Sequence, residues 1–401
     1  MTPPTIVRFS FPTAIDFGVG ARRLAPAVLQ ARGLRRPLVV TDTGLAARPL
    51  VRDFTALLRA ADLDVGLFGE VVGNPTRSQV LAGVEAFRIH GADSIVALGG
   101  GAPMDVAKVI ALMIHHPGDP FDYIDGDPNA RPIDQPLPFL AAIPTTAGTG
   151  SEVGRSSVIS DDATKTKRII YSPRLLPEHV LADPELTLAL PAHLTAATGM
   201  DALAHCVEAF VSNGYHPMCD GIALEGIRMI GASLETCVAF AASGSDTSAA
   251  GAAGAGDAAD HVQARSAMLL ASLMGAVAFQ KGLGVTHSLA HALSAVSDVH
   301  HGLATGLMLP HAMRFNEAAA PAAFRRMEQA AGIGEGEFVA WLGRLSRTIG
   351  LPGSLTAIGV QEGHLPTLLD LAEADPCHTQ NPRPVTRSDL EAMFRAALPA
   401  P

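Results

Sequence analysis

An α/β half built on a mainly parallel sheet, followed by an all-helical half, is the fold class this sequence predicts. Short apolar runs between residues 37 and 153 alternate with helix-period segments, the rhythm of strands joined by right-handed helical crossovers. After Pro184 the text changes to long alanine- and leucine-rich stretches without strand-like alternation. A chain of 401 residues is also too long for one ordinary core. Two domains follow, 1–187 and 188–401.

The elements justify themselves in order. FSFPTAIDFGVG reads as a short β-hairpin opening. PLVVTD (37–42) is a β-branched run stopped by turn residues, and a helical pattern then runs through LAARPLVRDFTALLRAAD. DVGLFGEV (64–71) is the next strand, and NPTRSQVLAGVEAFRIHG (74–91) leads from a loop into an amphipathic helix. SIVALGGG (94–101) predicts a buried strand, with helix from about Ala102 to Ile114. PFLAAIPTTAGTGSEV (138–153) predicts a strand ending in a threonine- and glycine-rich loop, and ADPELTLALP a last strand and proline stop. Beyond it, TGMDALAHCVEAFVSN, the segments through ARSAMLLASLMGAVAFQKG, and SDLEAMFRAAL are helices. The glycine-, serine- and alanine-rich stretch 242–260 lacks apolar bulk and predicts an exposed loop between two of them.

Composition narrows the function. Hydrophobic residues at 48% against charged residues at 17% describe a well-buried globular chain. A formal charge of −10 leaves no basic stripe for nucleic acid or an anionic membrane. Four cysteines without regular spacing (Cys206, Cys219, Cys237 and Cys377) predict reduced thiols in a cytoplasmic protein. The first residues show no secretory pattern, and no uninterrupted apolar run is expected to reach bilayer length.

The chemistry-bearing residues fall into two groups. GGGAPMD (99–105) follows a strand and opens a helix. Its glycines admit close backbone approach, and the helix N-terminus offers N–H donors to a pyrophosphate. GVGARR (18–23) lacks that setting. Asp42, at a strand end, suits an adenosine ribose and would repel a 2′-phosphate, favouring NAD over NADP. Thr145, Thr146 and Thr149 supply short hydroxyls in the next such loop.

The second group is a metal recipe. Asp201 and His205 are spaced to share one helix face, and His287 and His291 repeat that spacing. Burying Asp201 without a counter-charge would cost roughly several kcal/mol. A carboxylate with several imidazoles suits a divalent transition metal; His287, His291, His300 and His301 all remain candidate ligands on this reading. A metal and a dinucleotide in one chain point to metal-assisted hydride transfer.

Taken together, GGGAPMDVAK, PTTAGTGSEVG, TGMDALAHCVEAFVS, GLGVTHSLAHALSAV and HHGLATGLMLPH resemble the iron-containing (group III) alcohol dehydrogenases, colinearly over nearly the whole chain. The long 242–260 stretch is the main departure. The resemblance implies a Rossmann-like NAD(P)-binding domain and an all-helical metal-binding domain, the architecture shared with dehydroquinate synthases. Carried over by residue, it implies metal ligation by Asp201, His205, His287 and His301, and proton exchange by His291. It implies dinucleotide contacts at Asp42, Asn74, Gly99, Gly100, Gly101, Ala102, Asp105, Thr145, Thr146, Thr149 and Lys167, and a substrate site near Phe279 and Cys377. The implied metal is Fe²⁺, with Zn²⁺, Mn²⁺, Co²⁺ or Ni²⁺ compatible with the same donors. The implied substrate is a small alcohol or aldehyde, and the implied assembly a homodimer or larger homo-oligomer. Two alternatives share the scaffold: a metal-free reductase resembling maleylacetate reductases, disfavoured because Asp201 and the three histidines are all present, and a non-redox lyase or synthase.

Overall fold

The computed structural model describes residues 11, 13–164, 166–243 and 255–399. They form two compact units, one comprising Phe11–Thr146 and Ser151–Thr187, the other Ala147–Gly150 and the chain from Leu188 onward.

The first unit runs β1 (Ala14–Phe17), α1 (Ala25–Gln30), β2 (Pro37–Asp42), α2 (Thr43–Ala46), α3 (Pro49–Arg59), β3 (Gly66–Val71), α4 (Arg77–His90), β4 (Ser94–Gly99), α5 (Gly101–His115), β5 (Phe139–Pro144), β6 (Ser156–Ser160), β7 (Lys167–Tyr171) and β8 (His179–Ala182). Six strands form one sheet in the order β1-β8-β5-β4-β2-β3, and every pairing in it is parallel. β4 and β5 are buried along their whole length, which is why their sequences are continuous apolar runs: both sheet faces are covered. Val39, Val96, Ala141 and Leu181 share a core with Leu29 of α1 and with Phe54 and Leu58 of α3. Residues of alternate parity face the other way, and α5 lies against β4, β2 and β5.

The sheet order reverses at β2, which pairs with β3 on one side and β4 on the other. In open parallel sheets, ligands bind beyond the carboxyl ends of the strands at this reversal. Asp42 ends β2, and Gly99–Gly101 carry the chain from β4 into α5.

Several sequence expectations need correction. The chain opening is not a hairpin, because β1 pairs in parallel with β8. The helix expected after PLVVTD is split into α2 and α3, since Pro49 starts a new first turn. The last strand ends at Ala182, so ADPELTLALP follows it instead of forming it; Pro184–Thr187 is a 3₁₀ turn. The antiparallel pair β6–β7 was not anticipated.

The helical unit contains α6 (Ala192–Val211), α7 (Pro217–Ala242), α8 (Ala255–Ala278), α9 (Val285–Ser297), α10 (His301–Asn316), α11 (Pro321–Ala331), α12 (Phe338–Thr348), α13 (Leu365–Ala374) and α14 (Arg387–Ala397). α6 is buried continuously from Thr195 to Val211, because α7, α8 and α10 pack around it. A helix apolar on every side is what such a central position requires. Of the expected 242–260 loop, residues 244–254 lie outside the described residues, whereas α8 already begins at Ala255. One helical segment, Ala259–Lys281, reaches bilayer length and apolarity by composition, although Asp260, His261, Gln263 and Arg265 interrupt its apolar run. Its mean hydropathy of 1.4 reflects packing: 61% of that window is buried in the fold, against α6 and α7.

Candidate functional site

Asp201, His205 and Glu208 lie on successive turns of one α6 face, and all three side chains are buried. His287 enters from the first turn of α9. That helix stops at Asp298, whose φ of 49° turns the chain back; aspartate tolerates this left-handed setting better than most residues. His301 then opens α10. Gly302 lets α10 reach α6, since a Cβ there would stand 2.4 Å from the Ala197 carbonyl oxygen.

The four expected ligands converge. Asp201 Oδ1 lies 3.4 Å from His301 Nε2 and 3.9 Å from His205 Nε2. One ligand atom each from Asp201, His287 and His301 lies within 4.8 Å of the others. His205 borders that trio, its ring stacked on His287 at 4.8 Å between centroids. Donors about 2.0–2.2 Å from a cation stand roughly 3–4 Å from one another, close to these separations. His300, left open by the sequence, is exposed.

The buried polar atoms fit a cation. Asp201 Oδ1 and His287 Nε2 are buried with no hydrogen-bond partner, a costly state unless something answers them, and His205 turns its Nε2 toward the same Asp201 oxygen. The Glu208 carboxylate accepts the Thr286 N–H at 2.6 Å, the Gly284 N–H at 3.0 Å and His287 Nδ1 at 2.6 Å. An ionised carboxylate only accepts, so His287 donates from Nδ1, and its neutral ring leaves the Nε2 lone pair for a cation. Burial alone would raise the Glu208 carboxyl, but the His287 hydrogen bond and charge hold it below its ordinary value. Burial opposes charge on the His287 ring, and Glu208 nevertheless holds it above the usual imidazole range. Burial drives His205 down to about 4 despite the attraction of Asp201, so His205 is a neutral donor near pH 7.

His291, one turn beyond His287, is half-buried. Its ring stacks on His301 at 5.2 Å and meets His287 edge-on at 6.0 Å, and its Nδ1 lies 2.7 Å from Asp375 Oδ2. Phe279 packs against His205 at 5.1 Å, and Cys377 lies in a cluster with His291 and Asp375.

In the α/β unit, Asp42, the glycine turn, Thr145 and Thr146 gather at the ends of β2, β4 and β5. A Cβ on Gly99, where φ is 154°, would lie 2.8 Å from Pro103 and 3.5 Å from Asp42 Oδ2. A Cβ on Gly100 would lie 3.2 Å from Thr146 Oγ1, and the Thr145 N–H donates to the Gly99 carbonyl. The N-cap of α5 is Gly100, which has no side chain to cap the first turn, and that turn holds Gly101 and Ala102. Asp42 Oδ1 caps α2 by accepting the Leu45 N–H. Asn74 is half-buried after β3. Asp105 sits deeper: its carboxylate accepts the Ser151 hydroxyl at 2.6 Å and the Val158 N–H at 2.8 Å, and burial raises its carboxyl against the opposing charges of Lys108 and, least, Lys167. Thr149 belongs to Ala147–Gly150, the segment that groups with the helical unit; there a Cβ on Gly150 would meet Ala276 at 2.2 Å.

Sequence reasoning missed Glu208 and Asp375. Glu208 had a signal, a carboxylate on the Asp201–His205 face inside an apolar helix. Asp375 had none, because its partner histidine is 84 positions away.

Comparison with known proteins adds an independent finding. The family profile "Iron-containing alcohol dehydrogenase" matches residues 12–184, and "Fe-containing alcohol dehydrogenase family, C-terminal" matches 195–256 and 249–398. The chain is 37% identical to 4-hydroxybutyrate dehydrogenase of Cupriavidus necator over 96% of its own length and 98% of that protein. It is 33% identical to the NAD-dependent methanol dehydrogenase of Bacillus methanolicus, covering 98% of this chain and 100% of that one. The crystal structure of a 1,3-propanediol oxidoreductase superposes with a TM-score of 0.88 at 35% identity, covering 98% of this chain and 100% of that one.

Proposed function

We infer the reaction of this chain from its family: it belongs to the iron-containing alcohol dehydrogenases, and it is a metal-dependent alcohol oxidoreductase. The reaction is reversible hydride transfer between NAD and a small alcohol, with the matching aldehyde or ketone as the other half of the pair. The observation that carries the metal assignment is the pair of buried, unpartnered atoms on Asp201 and His287, with His301 and His205 Nε2 beside them.

Asp201, His205, His287 and His301 would hold the cation. When bound, a divalent metal supplies Lewis acidity toward the alcohol or carbonyl oxygen, and NAD supplies the hydride acceptor. The residues do the rest. Asp201 offsets part of the cation's charge, and Glu208 keeps the His287 Nε2 lone pair facing inward. His291, more exposed than His287, exchanges the hydroxyl proton of the substrate with solvent. Asp42 accepts the ribose hydroxyls, and the Gly99–Gly101 turn and open α5 first turn receive the pyrophosphate. Ala102, Thr145, Thr146 and Asn74 border that turn, Asp105 braces the segment beside it together with Lys108, and Lys167 would contribute its charge.

A cytoplasmic location and homo-oligomeric assembly complete the proposal. Four free cysteines support the first. Apolar side chains exposed along and after the β1 edge, Phe17, Val19 and Leu24, support the second. The test is a panel of short alcohols and aldehydes with NAD(H) and NADP(H), before and after chelation and after adding ferrous iron. Nicotinamide turnover that disappears on chelation and returns with iron supports the reading; full turnover in chelated protein removes the metal from it.

A further inference from the structure

We propose that Asp375 is a positioning residue for His291: its anchored carboxylate holds the imidazole with the proton on Nδ1, so Nε2 is the atom that meets the substrate proton. The inference rests on the reading of His291 as proton carrier and deepens it.

Asp375 closes α13 and starts the 3₁₀ turn Pro376–Gln380. Its two oxygens are both engaged. Oδ1 accepts the Cys377 N–H at 2.9 Å and the Ser288 hydroxyl at 2.8 Å; Oδ2 receives His291 Nδ1 at 2.7 Å. Ser288 has one proton to give. Because its oxygen accepts the His378 N–H at 2.9 Å, that proton goes to Asp375. The same hydroxyl thereby ties the turn to α9, one residue from His287. Asn381 adds a second tie, accepting the Val285 N–H and exchanging hydrogen bonds with Asn316. The carboxylate is held in place from several directions before the imidazole reaches it.

The geometry then determines the tautomer. An ionised carboxylate is only an acceptor, so His291 Nδ1 must donate, and the neutral ring carries its lone pair on Nε2. Asp375 is ionised: burial works against its charge, but the bonds from His291, Cys377 and Ser288 hold it well below the usual carboxylate range. Cys377 lies within the same cluster, yet burial and the charge of Asp375 keep its thiol protonated. With both Asp375 oxygens filled and the thiol neutral, the cluster is a hydrogen-bond network, not a second cation site. On α9, two imidazoles one turn apart are thus each fixed through Nδ1 by a carboxylate from elsewhere in the chain, Glu208 for His287 and Asp375 for His291.

Asp375→Asn keeps the size and can turn an N–H toward His291 Nδ1, imposing the other tautomer. In the metal-loaded enzyme, kcat is expected to fall by roughly 10²–10⁴-fold, the range of a lost general acid–base. KM for the alcohol, bound metal per chain and NADH affinity are expected to stay within a few-fold of wild type. Asp375→Glu should recover part of the loss, and Asp375→Asn combined with His291→Ala should be no slower than His291→Ala alone. Independently of turnover, zinc-loaded ¹⁵N-histidine protein should show two hydrogen-bonded Nδ1–H resonances, of His287 and His291, and only that of His291 should disappear in Asp375→Asn and in His291→Ala. Wild-type kcat in Asp375→Asn, additive losses in the double variant, or a wild-type His291 ring without its Nδ1 proton would each overturn the assignment. Wild-type kcat in His291→Ala would instead overturn the reading of His291 itself.

Discussion

His287 gives its Nδ1 proton to Glu208 across 2.6 Å, between two groups that are both almost wholly buried. That bond converts a symmetric imidazole into a directional ligand. Glu208→Gln removes the acceptor that enforces the direction, and its amide can pair with the ring in either sense. Metal affinity is expected to fall about 10–100-fold, measured by competition with a chromogenic chelator. Unchanged affinity would mean that the backbone of α9 alone orients the ring.

Gly302 tests the packing that brings His301 to Asp201. A side chain there meets the Ala197 carbonyl oxygen at 2.4 Å and Asp201 Cβ at 3.3 Å. Gly302→Val should push α10 from α6, lower unfolding free energy by about 1–3 kcal/mol, and weaken metal binding together with it. A variant with native stability and native metal affinity would show that α10 has slack the close contact does not suggest.

How much of this was legible in the sequence depends on how local the signal was. β4 and β5 announced themselves because strands covered on both faces are unbroken apolar runs. Asp201 and His205 were readable because helical periodicity places them on one face. β1 was misread because its partner, β8, lies 165 positions away (Ala14 opposite His179), and no local pattern distinguishes that pairing from a hairpin. The β6–β7 pair was hidden because β6 (SSVIS) buries serines where a strand signal would show apolar residues, and β7 (KRIIY) opens on two charged residues. Asp375 is the extreme case: an aspartate before proline reads as a turn, and only the folded chain sets it against His291.

Asp42 provides a test of cofactor choice. Its carboxylate sits at the sheet reversal beside Gly99, where it favours two ribose hydroxyls and opposes a phosphate. Asp42→Gly should raise kcat/KM with NADP relative to NAD by at least tenfold. An unchanged ratio would leave Asp42 with only its cap on the Leu45 N–H.

Glu152 carries a pH dependence. Burial pushes its carboxyl up to about 7, with Lys108 only partly opposing the shift, and its Oε1 has no partner. From about 4.5, the ordinary value, to about 7, the native state binds the proton more tightly than the unfolded chain. Stability therefore falls as pH rises through that window and levels off above it. Glu152→Gln should match wild type near pH 4 and exceed it near pH 8 by about 3 kcal/mol, read from denaturant midpoints. A difference independent of pH would place the effect in packing.

Anomalous diffraction from iron-loaded crystals, collected on both sides of the iron edge, tests the metal centre most directly. One peak should appear about 2.0–2.3 Å from a carboxylate oxygen of Asp201 and from a ring nitrogen of each of His205, His287 and His301. Crystals of catalytically active protein with no peak there, or with the metal held by other residues, would contradict the account.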